Sequence, residues 1–523
     1  MIFEWRNLKL IVVLIYFLMI FSNASASNFS KNVTMSQIGL LQKVCENNFE
    51  IRYQKYDLII ASEQVKKELA IFEPKFSVSY NYKDSVTPNT AEDFYDRMFT
   101  QNPEKFEERL RQYQLGLKGL LPIGTVLSLD YTIDDVSNDL VDEKYKNSDN
   151  RSSEVSTYLG LQITQPLLKN RGSQNTMAKI RVAQTSQEIT YQSFRQKVID
   201  IVQHALNAYW ELYYTSKQHE FYQDSVQVAN DLLQTYTLMY EAGKVAESEL
   251  FEIRSGLSLR RSLLSAALQK KINAQNTIFK LLGMSRKGNL IEHIVILDTP
   301  ESYRNYKEPN YQKVLDQALL NNPRFLSSKK HLKKQRIHTQ YTKNQNKPDL
   351  NFKANFGINS LDSHPEQFLH NIWNDNDETW SVGLEFLFPL KGGIDSTSEL
   401  RMAKIREKQA QIAVESIKLD LENQVDTSIQ HVKNSIRQLE RHNENVKLKQ
   451  KIMDVEMSRL EGGKSNILNV LEKEKQFNQA RNGHLRAIVN LELSVVALSR
   501  IEGTLLKRFG VNIEKQIICG INE

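Results

Sequence analysis

The sequence predicts an α + membrane β-barrel protein, built from a duplicated helix-strand-strand-long-helical-hairpin unit whose strands share one barrel with those of other chains. Three observations carry that prediction. Segments recur at offsets of 220 to 274 residues, two proline-free runs have coiled-coil spacing, and the stretches between repeated prolines alternate with a period of two. Composition agrees by exclusion. At roughly 100–200 residues per domain, 523 residues would ordinarily make two to four globular units. With 40% hydrophobic and 25% charged residues, 20 Gly and 11 Pro, the chain is not a polytopic helical membrane protein, a collagen or a Pro/Gly-rich disordered chain. Its net charge of +6 is spread along the chain, so nucleic acid is not the default partner.

At the N-terminus, Arg6 and Lys9 precede an apolar run from Leu10 to Phe21 and the small-residue stretch Ala24-Ser25-Ala26. This is the pattern of a secretory signal peptide over 1–26, with Ser27 as the mature start. An uncleaved anchor is the weaker reading, because about twelve apolar residues fall short of the ~20 that span a bilayer. Two cysteines, Cys45 and Cys519, remain in the mature chain. One disulfide is open to them, and neither follows the cleavage site where a lipid would attach.

The duplication is readable residue by residue. Asn47-Asn48 and Pro74 recur as Asn321-Asn322 and Pro348; Gly160-Leu161 and Pro166-Leu167 recur as Gly383-Leu384 and Pro389-Leu390. The pentapeptide from Met177 to Arg181 recurs identically at 402–406, and Gly243-Lys244 as Gly463-Lys464. Four matches in the same order mean duplication.

Proline is absent from 167 to 299 and from 390 to the end, runs of 133 and 134 residues rich in Gln, Lys, Glu, Leu and Ala. Within them Phe194, Val198, Ile201, Ala205, Ala208 and Leu212 step by four and three, as do Val425, Ile429, Val432, Ile436 and Leu439. A 3.5-residue repeat describes a coiled-coil seam. Gly243 and Gly462-Gly463 interrupt the runs and read as turns of helical hairpins.

Between the prolines the period becomes two. Phe76, Val78, Tyr80 and Tyr82 alternate with polar residues, as do Leu159, Leu161 and Ile163, then Leu350 through Ile358, then Trp380 through Phe388. A soluble sheet with one wet face gives the same pattern. An exported chain, aromatic strand ends and lengths of about 8–10 residues favour tilted membrane strands. The first copy separates its prolines by 92 residues and the second by 41, so the first carries an insertion of 51. Inside it, Tyr113, Leu115 and Leu117 alternate, then Leu127, Leu129, Tyr131 and Ile133 after a turn at Pro122-Ile123-Gly124, an extra hairpin. Six strands cannot close alone, since single-chain barrels need about eight or more, so several chains must share one barrel.

The expected organisation is a first repeat over 27–299, with strands near 75–83, 113–121, 125–133 and 156–165 and a helical hairpin near 175–282. The second repeat spans 300–523, with strands near 349–359 and 379–388 and a hairpin near 398–505.

The ordered set of signal peptide, duplicated unit, strand-to-Pro-Leu junctions (YLGLQITQPL and SVGLEFLFPL) and mid-hairpin glycines resembles the TolC-like outer membrane efflux protein (outer membrane factor) family, over about Leu40 to Phe509. The resemblance implies a homotrimer: a β-barrel in the outer membrane continued by a periplasmic α-helical barrel. It implies a passive exit duct of a tripartite efflux or type I secretion system, joined by a periplasmic adaptor (membrane fusion) protein to an inner-membrane transporter of RND or ABC type. The usual member has four strands per chain and twelve in the barrel. The extra hairpin departs from that, so either the barrel has eighteen strands or the hairpin lies outside it.

The resemblance places the adaptor-contacting tip at Ala242, Gly243 and Lys244 and at Gly462, Gly463 and Lys464, and a gate at Asn469 and Glu472. Glycines that only turn the chain, and an exposed carboxylate among Lys473 and Lys475, are the plain readings of the same residues. If the apolar strand faces meet lipid, Ser77, Lys83, Gln162 and Glu385 line the barrel lumen. No enzyme, cofactor or metal is expected. Gly462-Gly463-Lys464-Ser465 echoes a phosphate loop, but Ser458 stands where its first glycine belongs. His364, His370 and Trp373 read as a solvated loop rather than a metal site. Two other readings of the chain are a periplasm-spanning coiled-coil structural protein or adhesin, and a soluble adaptor.

Overall fold

The computed structural model describes residues 32–512, apart from 97, 99–103, 145–152, 286–292, 301–307, 363–376 and 391. The signal peptide, Ser27, Cys519 and the loop carrying His364, His370 and Trp373 lie outside the described residues. In chain order the elements are β1 (Asn32–Met35), α1 (Gln37–Asn47), α2 (Phe49–Leu69), β2 (Lys75–Pro88), α3 (Ala91–Asp96), β3 (Lys105–Leu120), β4 (Val126–Asn138) and α4 (Asp139–Lys144). Then come β5 (Glu154–Pro166), α5 (Ser173–Thr176), α6 (Ala178–Glu241), α7 (Glu247–Leu281), β6 (His293–Ile296), α8 (Tyr311–Asn321) and α9 (Pro323–Gln345). The chain ends with β7 (Asp349–Asp362), β8 (Asp377–Leu387), α10 (Ile394–Glu461), α11 (Ile467–Ile501) and α12 (Leu505–Arg508). Two compact units result. One holds residues through Tyr53, Lys197–Asn322 and from Glu422; the other holds Gln54–Gln196 and Pro323–Leu421. Each draws on both sequence repeats.

The first unit is dominated by helix and takes α6 from Lys197 and α10 from Glu422 onward. Over their whole length the long helices α6 and α10 run 64 and 68 residues, and each is followed after a short turn by a 35-residue partner. At ~1.5 Å per residue the longer ones reach roughly 100 Å. Every seam residue read from the first copy is buried: Phe194, Val198, Ile201, Ala205, Ala208 and Leu212. In the second copy Val425, Ile429, Val432 and Leu439 are buried, but Ser435 takes the inward place and Ile436 is half-buried. A straight helix turns at 3.6 residues, so a strict 3.5 repeat drifts off its seam. A two-stranded parallel sheet, β1 with β6, pairs Asn32 through Met35 with His293 through Ile296 and had no sequence signal. It is tied to α6 at Tyr209, whose hydroxyl donates to Asp298 Oδ2 at 2.8 Å and lies 3.1 Å from the Met35 carbonyl. Burial, then the hydrogen bond to Asp298, pushes the phenol far above its ordinary pKa and keeps it neutral.

The duplicated Asn-Asn pair has a definite job here. Asn48 Nδ2 donates to the Leu281 carbonyl at the end of α7 (2.9 Å), and Asn322 Nδ2 donates to the Ile501 carbonyl at the end of α11 (3.2 Å). Asn48 Oδ1 also accepts from Glu50 N at 2.9 Å, capping α2. The preceding carbonyls press against Gly283 (φ +69) and Gly503 (φ +70): an added Cβ would stand 2.8 Å from Asn47 O and 2.6 Å from Asn321 O.

The second unit holds a six-stranded antiparallel sheet in the order β2-β3-β4-β5-β7-β8. The inserted hairpin therefore lies within the sheet, between the first strand of copy one and its last. Several strands extend past their period-two stretches. The first runs to Pro88 and the second begins at Lys105, because ladder hydrogen bonds continue where neither face is apolar. Four of the six strands join long-helix segments: α2 leads into β2, β5 into α6, α9 into β7, and β8 into α10.

Candidate functional site

The sheet's two faces are in phase across all six strands. One cross-strand row reads Phe76, Leu117, Leu129, Leu161, Phe356, Trp380. The neighbouring row on the opposite face reads Ser77, Gly116, Asp130, Gly160, Gly357, Thr379. Period-two side chains make each row one-sided, and a register slip of one residue in any strand would break it. The apolar face is exposed in the single chain, Phe76 at 69% and Trp380 at 71%. Toward the end of the sheet at Pro88, this face changes to the ion pairs Arg111–Asp135 (3.4 Å) and Arg109–Asp84 (3.6 Å), just past the tilted aromatic pair Tyr80–Tyr113. An apolar band bordered by aromatics and then charges is the profile of a lipid-facing wall.

The register puts Ser77, Lys83, Gln162 and Glu385 on the polar face. Lys83 pairs with Glu108 and Lys353 with Glu385, each at 3.0 Å. The ring of Tyr158 lies flat over Gly160 and Gly357, where a Cβ on either glycine would run into it, and Asn355 Nδ2 donates to its hydroxyl at 2.9 Å. In the sheet Gly160 stands directly opposite Gly357.

The base of the inserted hairpin is anchored rather than loose. Gly124 (φ +95) approaches the Asn170 carbonyl so closely that a Cβ would lie 2.7 Å from it, and Gly172 N donates to the Ile123 carbonyl at 3.0 Å. Asn170 itself is left-handed (φ +62), its amide donating to Asn344 Oδ1 at 2.7 Å. Thr125 bonds Gln165 beside it.

In the helical unit, the two hairpin turns have one design. At the first, Gly243 N donates to Tyr240 O (2.9 Å) and Lys244 N to Met239 O (2.9 Å). At the second, Gly463 N donates to Leu460 O (3.0 Å) and Lys464 N to Arg459 O (2.8 Å). Both are Schellman caps, with Gly243 at φ +68 and Gly463 at φ +67. Gly462 is helical-side backbone without positive φ, so of the neighbouring pair only Gly463 needs to be glycine for conformation. The loop resembling a phosphate cradle is this helix cap. Ala242, Gly243, Lys244, Gly462, Gly463 and Lys464 are all exposed. Behind them Tyr236, Leu250, Ile253, Ile467 and Val470 form one buried cluster that joins both hairpins.

Asn469 and Glu472 follow on the exposed face of α11. Glu472 accepts a hydrogen bond from Gln476 (3.2 Å) and pairs with Lys475 (3.6 Å), and these two contacts, in that order, hold its carboxyl below the ordinary range. Two residues on, Glu474 is buried. Arg260 pairs with it, and Ser225 Oγ donates to its Oε1 at 3.3 Å while accepting from Arg260 Nε at 3.1 Å. Sequence reasoning passed over this triad, whose members lie 214 and 249 residues apart and share no local pattern. Among the described residues no group of three or more His, Cys, Asp or Glu is arranged to hold a metal, and no helix is long and apolar enough to cross a membrane.

A family profile described as outer membrane efflux protein matches residues 124–284 and 314–504. No curated protein sequence matches the chain. Among solved structures, the Campylobacter jejuni CmeC outer membrane channel is similar at 12% identity and a TM-score of 0.62, over 91% of this chain and 88% of that one. The open state of the Neisseria gonorrhoeae MtrE outer membrane channel is similar at 13% and 0.60, over 90% of each chain. The Vibrio cholerae outer membrane protein VceC is similar at 12% and 0.60, over 89% and 95%. At these identities the likeness is one of fold.

Proposed function

The chain belongs to the outer membrane efflux protein family, and from that premise we propose that it is the passive exit duct of a tripartite efflux or type I secretion system. It is an outer membrane channel with a large periplasmic helical portion, and it works as a homotrimer. The observation that carries this reading is the sheet: one continuous exposed apolar face, one polar face and, among the described residues, two unpaired edges, β2 and β8. An open edge beside an apolar face is untenable in lipid unless another chain pairs with it. A coiled-coil rod or adhesin has no use for such a sheet, and nothing in the family match supports that alternative.

The two Schellman turns form the adaptor-contacting tip. Its support is that Ala242, Gly243, Lys244, Gly462, Gly463 and Lys464 are exposed on twin turns backed by one rigid cluster. Asn469 and Glu472, on the same end of the helical unit, form the gate, where three copies of Glu472 around an axis would favour bound cations. Ser77, Lys83, Gln162 and Glu385 line the lumen. An inner-membrane transporter of RND or ABC type supplies the energy through the adaptor, and the duct itself does no chemistry.

The test is single-channel conductance of the mature detergent-extracted protein in a planar bilayer, together with its oligomeric mass. Discrete steps from a trimer are expected. A water-soluble monomer without conductance would overturn the duct.

A further inference from the structure

We propose that the inserted β3–β4 hairpin is part of the wall and widens the barrel to eighteen strands, so that the exit passes cargo up to roughly 20 Å across. This rests on the trimeric duct reading above.

The argument is one of strand and helix numbers within the second unit. Four strands per chain continue into long-helix segments, while β3 and β4 join each other through the turn at 121–125 and adjoin only the six-residue helices α3 and α4 at their other ends. Three chains thus contribute twelve long-helix segments but eighteen strands. Strands about 4.8 Å apart and tilted about 40° give a backbone diameter near 36 Å for eighteen, against about 24 Å for twelve. Twelve helices at roughly 9–10 Å spacing also enclose a ring near 36 Å across. After side chains are allowed for, the open bore becomes about 24 Å rather than about 12 Å.

Three observations hold the hairpin in the wall rather than outside it. It is paired on both sides over its length, from Lys75–Lys118 to Pro88–Lys105 with β2 and from Val126–Thr164 to Val136–Glu154 with β5. Its apolar residues Leu115, Leu117, Leu129 and Tyr131 continue the apolar face of β2 and β5 without a break in phase. Its turn is fastened to the β5–α6 connection at Gly124, Ile123 and Asn170. The polar face of the hairpin carries Lys118, Gly116, Gln114 and Gln112 on β3 and Ser128, Asp130, Thr132 and Asp134 on β4, so the wall that it adds is hydrophilic toward the bore.

Two measurements test this. The first probes the wall in the intact protein: Leu115→Trp and Leu129→Trp, each in a background otherwise unchanged, should be quenched by bromine-labelled lipid as strongly as native Trp380. Quenching at Trp380 alone would put the hairpin outside the barrel and overturn the proposal. The second compares conductance with polyethylene glycol of about 10 Å hydrodynamic radius added on the outer side, where entry is set by the barrel and not by the periplasmic gate. The full chain should lose conductance to the polymer, whereas a variant with 89–153 replaced by a four-residue Gly-Ser loop should exclude it. Exclusion by the full chain would overturn the widening while leaving the duct intact. An absence of conductance in the full chain would instead overturn the duct reading on which the proposal rests. If the shortened variant does not fold, the full chain's own exclusion limit and the quenching pair still decide.

Discussion

Four glycines share one backbone state and one hydrogen-bond pattern at helix C-termini: Gly243 (φ +68), Gly463 (φ +67), Gly283 (φ +69) and Gly503 (φ +70). Only the space around the missing Cβ differs. At 243 and 463 nothing lies within 4 Å, whereas at 283 and 503 it would meet the Asn47 and Asn321 carbonyls at 2.8 and 2.6 Å. Alanine at any of the four costs about 1 kcal/mol for left-handed backbone. At 283 and 503 the methyl must also push backbone aside, about 2 kcal/mol more on the overpacking scale. Local opening should then rise about fivefold at the first pair and on the order of 150-fold at the second. Amide hydrogen exchange reads this at the bonded N–H groups, Lys244 and Lys464 against Met284 and Thr504. Equal acceleration at all four sites would refute the close-approach argument. The functional outcome should be the reverse. Bulky replacement at 243 and 463 should abolish adaptor cross-linking with little loss of fold, while 283 and 503 should lose fold first.

Removing Arg260 strands the buried Glu474 carboxylate, so Arg260→Met should destabilise by about 3–5 kcal/mol, while Arg260→Met with Glu474→Leu should recover most of it; chemical unfolding of the trimer decides, and equal losses would sink the pairing. Glu472 has a depressed pKa, so its charge is present at neutral pH and disappears only as pH falls below the ordinary carboxylate value of 4.5. Cation block of the channel should therefore be present at neutral pH and fade on acidification, and Glu472→Gln should remove it at every pH. Block unchanged by Glu472→Gln would move the gate elsewhere. In the barrel wall, Gly357→Ala drives a methyl into the Tyr158 ring, and by the overpacking range it should cost about 1–3 kcal/mol. The temperature at which heat-modifiable migration is lost should fall, and Tyr158→Ala should restore it in the double variant.

How far the chain could be read without its structure depended on the range of each interaction. The seam from Phe194 to Leu212, the alternation of Phe76 to Tyr82 and the reversals at Gly243 and Gly463 are set by residues within a few positions of each other, so periodicity and turn chemistry expose them. The duplication showed that Asn47-Asn48 and Asn321-Asn322 correspond, though not why they recur. The carbonyls of Asn47 and Asn321 press on Gly283 and Gly503, and the side-chain amides of Asn48 and Asn322 reach the Leu281 and Ile501 carbonyls, 179 or more residues away, a partnership only packing creates.

Alternation alone could not place the inserted hairpin, because a strand pair inside the sheet and one hanging outside it have the same period. Its place was decided by register: the apolar row from Phe76 to Trp380 runs through Leu117 and Leu129, and hydrogen-bond partners are chosen between strands, not along them. The same holds for Tyr158 over Gly160 and Gly357, for Glu474 with Arg260 and Ser225, and for the β1–β6 pair. Local sequence determined which segments are helix, strand and turn, and that the strands have a lipid-like face. The tertiary structure determined which strands are neighbours and which polar groups are buried together, since both depend on contacts that no local period encodes.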